Sequence, residues 1–139
     1  MKKILASLAI AFALVACQGV QHNTASGRPE VTTRKSVEVV KNSAINELIN
    51  HGYAVTADTP YSMTFEKPVE NPVAAALLGS QWNSVPNARI RLTFAKVPAG
   101  TRVVADLAFV TNPGTGFERL TPANNNPDSV KIQEWLAAL

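Results

Sequence analysis

Chemistry at a protein site usually begins with a nucleophile beside a base, a pair of acids, or a cluster of metal-binding side chains. This 139-residue chain is poor in the first requirement, with only two histidines, His22 and His51. His51 stands just before Gly52 at the end of an apolar stripe, a place where a helix C-terminus favours an imidazole. His22 lies in a polar run. There is no His-Glu-x-x-His pattern, no cysteine pair, no His/Asp cluster and no Gly-x-Ser-x-Gly elbow. The residues therefore point away from an enzyme, and they ask for no metal and no cofactor. The run Asn112-Pro113-Gly114-Thr115-Gly116-Phe117 has the glycines of a phosphate loop but not its Gly-Lys-Ser/Thr ending; Glu118 and Arg119 follow instead. It reads as a turn-rich connection, and were there a catalytic cleft, Glu118 and Arg119 would be its titratable pair.

Binding chemistry has more candidates. Arg89, Arg91 and Arg102 alternate with apolar residues and would share the outer face of a sheet. Such a stripe could meet anionic headgroups or an acidic partner; with Asp106 and several Glu nearby it reads first as a solvated, balanced face. Phe117 reads as core, with a binding anchor as the alternative. Trp82 would either fill a gap beneath a short helix or stand exposed as an interface anchor, and the sequence leaves both open.

Cys17 is the only cysteine. Before it come Lys2 and Lys3 and then an apolar stretch from Ile4 to Ala16, broken only by Ser7. That run is shorter than the roughly 20 residues a permanent transmembrane helix needs, and it has the charge order of an export signal. Leu14-Val15-Ala16-Cys17 resembles the lipobox of bacterial lipoprotein precursors. The resemblance implies cleavage after residue 16, a diacylglycerol on the Cys17 thiol and an acylated amino group. Acyl chains in pairs anchor stably, at about 0.8 kcal/mol per buried methylene. Lipoproteins of this kind held at an inner membrane tend to carry Asp after the cysteine; Gln18 here implies the inner leaflet of an outer membrane, facing the periplasm.

Removing 16 of the 139 residues leaves 123, the size of one domain. Without Lys2 and Lys3 the 13 basic residues become 11 against 10 acidic, a net charge near +1, so nothing calls for nucleic acid as a partner. With its cysteine consumed by lipid, the domain has no disulfide and depends on its core. Residues 18–29 lack apolar periodicity and read as a flexible tether, with a reach of about 18–20 Å. The single domain then occupies residues 30–139.

The elements that position these residues follow from periodicity. A short strand over 30–34 precedes a helix with Ser36 as its cap, Val37, Val40, Ala44 and Leu48 as its stripe, Ile45 and Ile49 widening it, and Gly52 closing it. Tyr53-Val55-Ala57 and Tyr61-Met63-Phe65 alternate as a hairpin about Asp58-Thr59-Pro60. Asn71-Pro72 opens a short helix over Val73–Leu78, followed by an irregular segment, 80–87. Ile90-Leu92-Phe94 and Val103-Ala105-Leu107-Phe109 form the strongest strand pair, and matching their apolar faces sets Phe94 opposite Val103 and Arg91 opposite Asp106, an expected cross-strand ion pair. A long loop, 112–126, leads to a last helix capped by Asn126, with Pro127 first and Ile132, Trp135, Leu136 and Leu139 on one face.

The order β-α-β-β-α-β-β-α predicts an α+β domain of two layers, a mainly antiparallel sheet with helices on one face. That order is similar to helix-grip domains, including those of an accessory lipoprotein of the outer-membrane assembly machinery. Two functions fit. The first is a non-enzymatic adaptor anchored in the envelope that binds another envelope protein. The second is a carrier or sensor of an apolar small molecule, which needs a cavity.

Overall fold

The computed structural model describes residues 19–70 and 85–139. The signal and lipobox, the short helix expected over 73–78 and Trp82 lie outside the described residues. Within them the chain runs β1 (Glu30–Thr33), α1 (Val37–Asn50), β2 (Ala54–Thr59), β3 (Ser62–Pro68), β4 (Asn87–Val97), β5 (Gly100–Thr111), β6 (Arg119–Pro122) and α2 (Asp128–Ala137). The domain is α+β, an open antiparallel sheet of six strands with two helices. No helix among the described residues is long and apolar enough to cross a membrane.

The sheet is ordered β1-β5-β4-β3-β2, with β6 also on β5. The β4–β5 hairpin is its spine. Its register sets Phe94 against Val103, Leu92 against Ala105 and Ile90 against Leu107, as the alternation predicts. Phe65 and Met63 continue these rows onto β3, opposite Ile90 and Leu92. All of these side chains face one way, because cross-strand partners share a face. Val40, Ala44 and Leu48 of α1 and Leu136 of α2 bury into the same cluster, so both helices cover that one face.

Helix α1 forms where its cap and stripe require. Ser36 Oγ accepts from Val39 N at 3.4 Å, and the chain leaves the helix through Gly52 at φ +82°. Ile49, expected to widen the stripe, is instead exposed, because the buried arc is only as wide as Val40, Ala44 and Leu48. At α2, Asn126 Oδ1 accepts from Asp128 N at 3.0 Å, and Pro127 already has helical angles, so the expected cap is made.

Three expectations are corrected. The hairpin turn is Pro60-Tyr61, since β2 continues to Thr59, which pairs with Ser62. Strand β2 buries nothing: all six residues are exposed at the margin of the sheet. The expected loop 112–126 contains β6, whose residues pair with Ala108–Thr111.

Strand β6 has a partner because β1 uses only half of the β5 edge. Strand β1 pairs with Thr101–Val104 and β6 with Ala108–Thr111. Between them, Ala105 N donates to Pro29 O at 2.8 Å, Leu107 N donates to Asn124 Oδ1 at 2.7 Å, and Ala123 N donates to Leu107 O at 2.8 Å. The edge is thus satisfied along its length, as a buried backbone must be.

Residues 19–29, expected as a flexible tether, run along this edge as an ordered strap. Val20 N donates to Asn125 O at 3.1 Å, His22 Nε2 lies 2.7 Å from Ser129 Oγ, and Pro29 is buried. Helix α2 clamps the strap's end: Glu30 N donates to Gln133 Oε1 at 2.8 Å, and Gln133 Nε2 donates to Glu30 O at 3.0 Å.

Candidate functional site

The two helices lie over opposite margins of the covered face. Helix α1 meets β2, and α2 meets β1 and β5. Between the last turn of α1 and the first turns of α2 they leave a cleft of about 650 Å³. Its floor is Ala88 and Ile90 of β4 with Phe109 and Leu107 of β5, which are cross-strand neighbours. Leu48 and Tyr53 line one wall, and Ile132 and Trp135 the other. Pro68, Val69 and Glu70 close the end beyond β3, while Asn126, Pro127 and Asp128 form the rim at α2.

Two pairs of ionisable side chains meet on the rim. Glu47 and His51 meet at 3.1 Å, and Asp128 and Lys131 at 3.1 Å. Lys67 Nζ donates to His51 O at 3.1 Å and sits 4.8 Å from the centre of the Tyr53 ring. Burial pushes the Tyr53 phenol above its ordinary pKa, and the negative charge of Asp128 adds to the effect. The cleft can therefore offer a largely apolar interior under a rim that carries charges of both signs. Sequence reasoning placed Ile132 and Trp135 on the apolar face of the last helix and His51 at a helix end, but did not join them into a site.

The arginines expected on the outer face are there, and three of the four carboxylates facing them come from elsewhere in the chain. Arg89 Nε donates to Glu66 at 2.6 Å and its Nη1 to Glu118 at 2.9 Å; Arg102 Nε donates to Glu30 at 2.6 Å. Arg91 does stand opposite Asp106. The expected ion pair between them is replaced, however, because Arg28 Nη1 reaches both Asp106 oxygens at 2.7 Å. Arg91 has no ion pair among the described residues. This face is a lattice of compensated charges, not a basic patch. The Arg102 guanidinium holds the Glu30 carboxyl down to about 2 against the opposing effect of burial, with Ser26 assisting. Arg89 likewise lowers Glu118, helped by the backbone N–H of Gly114.

Phe117 is a further correction: it is 85% exposed, at the tip of the loop that turns β5 into β6, and fills no core. Arg119 opens β6 and is exposed, so Glu118 and Arg119 frame no cleft; Glu118 is spent on Arg89.

One pairing resembles catalytic chemistry. His22 and Ser129 are within hydrogen-bond reach, and neither was linked to the other by sequence, since 107 residues separate them. A serine nucleophile must meet its substrate, and Ser129 is 0% exposed. The pair fastens the strap to α2. Among the described residues no group of three or more His, Cys, Asp or Glu side chains could hold a metal ion.

Compared with protein-family models, with curated proteins and with solved structures, the chain matches none.

Proposed function

We propose that the chain is a lipid-anchored envelope protein of the Gram-negative type, held through Cys17 in the inner leaflet of the outer membrane. Its periplasmic domain acts by binding an apolar small molecule, not by catalysis. The observation that carries this reading is the cleft between the helices. Its volume, about 650 Å³, falls within the roughly 300–1,000 Å³ of ligand sites. Its lining has the composition of such sites, apolar and aromatic within and polar at the edge. The lipobox resemblance supplies the address.

A binding titration with the apolar dye N-phenyl-1-naphthylamine tests it. The protein should bind the dye saturably at one site, and Ala88→Phe, which adds a ring on the cleft floor, should weaken binding at least tenfold. Dye binding that is absent, or is indifferent to Ala88→Phe, removes the reading. Replacing Cys17 by Ala tests the address separately: the protein should then leave the membrane fraction.

A second reading, the envelope adaptor, is favoured by β2. An edge strand exposed at all six residues offers its backbone to an added strand. A photo-crosslinker at Thr56 that captures one envelope protein in cells, and loses it on Ala57→Pro, would move the assignment to that reading.

A further inference from the structure

We infer that the cleft takes a long acyl chain of a membrane phospholipid, drawn directly from the bilayer that anchors the protein. This inference rests on the cleft reading above and on lipidation at Cys17. Val20 N is bonded to Asn125 O, and a Cβ on Gly19 would lie 3.0 Å from the Asn125 side chain. His22 then bonds Ser129. The strap thus enters the domain at the first turn of α2, and the next residues there, Asn126, Pro127 and Asp128, are the rim of the cleft. Cys17 stands three residues before Val20. Three residues span at most about 11 Å even when fully extended. A flexible tether would let the domain drift and turn; the docked strap instead holds this rim close to the membrane surface.

The chemistry of the cleft fits such a chain. Leu48, Ile90, Leu107, Phe109, Ile132 and Trp135 provide apolar contact, which suits methylenes. Among the described residues the rim carries both signs, with Lys67, Lys131 and His51 beside Glu47, Glu70 and Asp128, so it presents no patch of one charge to select a headgroup, and the acyl chain carries the recognition. Position also matters energetically. A chain that crosses water exposes every methylene on the way, whereas one that passes from bilayer to an adjoining apolar cleft does not.

Trp135 lines the cleft and reports on its contents. The chain has two tryptophans, so Trp82→Phe leaves Trp135 as the sole emitter. The lipidated Trp82→Phe protein would be placed in vesicles of dioleoyl phosphatidylcholine, and in vesicles of the same lipid brominated at mid-chain. Bromine quenches indole on contact. Emission should fall by at least half in the brominated vesicles, and Ala88→Phe should abolish the fall. Ile132→Phe serves as the second narrowing if Ala88→Phe loses the native near-ultraviolet circular dichroism. Quenching that persists in both narrowed variants would mean contact with the bilayer surface and would overturn the inference. So would absent quenching in a protein that still binds N-phenyl-1-naphthylamine, which leaves the small-molecule reading standing with another ligand. If neither signal appears, both readings fall.

Discussion

Gly100 offers the sharpest test of how the strap-bearing edge is built. It follows Pro98-Ala99 at the β4–β5 turn and has φ +137°, a conformation that L side chains rarely adopt. A Cβ there would lie 2.1 Å from Thr33 O and 2.8 Å from Arg34 Cα, both backbone atoms. Real Cβ contacts essentially never fall below 3.0 Å, so the end of β1 must retreat by roughly 0.9 Å. Backbone strain of this kind costs about 1–3 kcal/mol. The retreat also loosens the Thr33–Thr101 pairing and the bond from Thr101 Oγ1 to Lys35 O at 2.8 Å, each hydrogen bond contributing about 1 kcal/mol. Gly100→Ala should therefore destabilise by about 2–5 kcal/mol, a large part of a stability that is typically 5–15 kcal/mol. Gly52→Ala is the matched control. Gly52 also has positive φ, +82°, but a Cβ there meets nothing within 4 Å, so that variant carries conformational strain alone, about 1–2 kcal/mol. Urea unfolding of the two variants separates the contributions. Equal losses would refute the claim that β1 is seated tightly against the turn.

Two further outcomes follow from the same edge. Glu30 titrates at about 2 when folded, against an ordinary 4.5, so its contribution to stability is complete above pH 4.5 and is lost as pH falls from there toward 2. Glu30→Gln should cost stability at neutral pH and progressively less across that window; a stability difference that stays constant from pH 6 to pH 2 would count against the Arg102 pairing. Gln133→Leu removes both bonds to the Glu30 backbone and should cost about 1–3 kcal/mol, with faster hydrogen exchange at the Glu30 amide. Unchanged exchange there would show that the clamp is dispensable.

Helix α1 and the β4–β5 register were legible because their causes are local. A capping serine, a 3.6-residue stripe and a period-two alternation all act within a few residues of one another. Partner choice across the sheet was not local. Arg91 and Asp106 were rightly placed opposite, yet Asp106 belongs to Arg28, 78 residues away, which reaches it only because the strap docks. Strand β6 was illegible for a similar reason. Its sequence, Arg-Leu-Thr-Pro, has no buried face and ends in proline, and what makes it a strand is the half of the β5 edge that β1 leaves open. The strap is held by a backbone bond from Val20, by Pro29 O, and by short polar side chains, none of which produces periodicity.

The cleft was hidden by a different cause, and that cause bears on its function. Every residue on its floor and walls has the type and spacing of a core residue, and Ile132 and Trp135 sit on the stripe that should bury α2. Sequence sets which face of a helix is apolar, not how far apart two helices stand on a sheet. Here α2 is drawn toward one margin by the Gln133 clamp on Glu30 and the His22–Ser129 bond, while α1 closes over the other margin, where Lys41 bonds Asp58 and Thr59 of β2. These polar contacts hold the helices apart over Ile90 and Leu107, and Ile132 and Trp135 remain only half-buried. The groups that fasten the strap are thus the groups that set the helices apart over the cleft. Cutting the strap from α2, by His22→Ala with Gln133→Leu, should lower dye affinity even though neither residue lines the cleft.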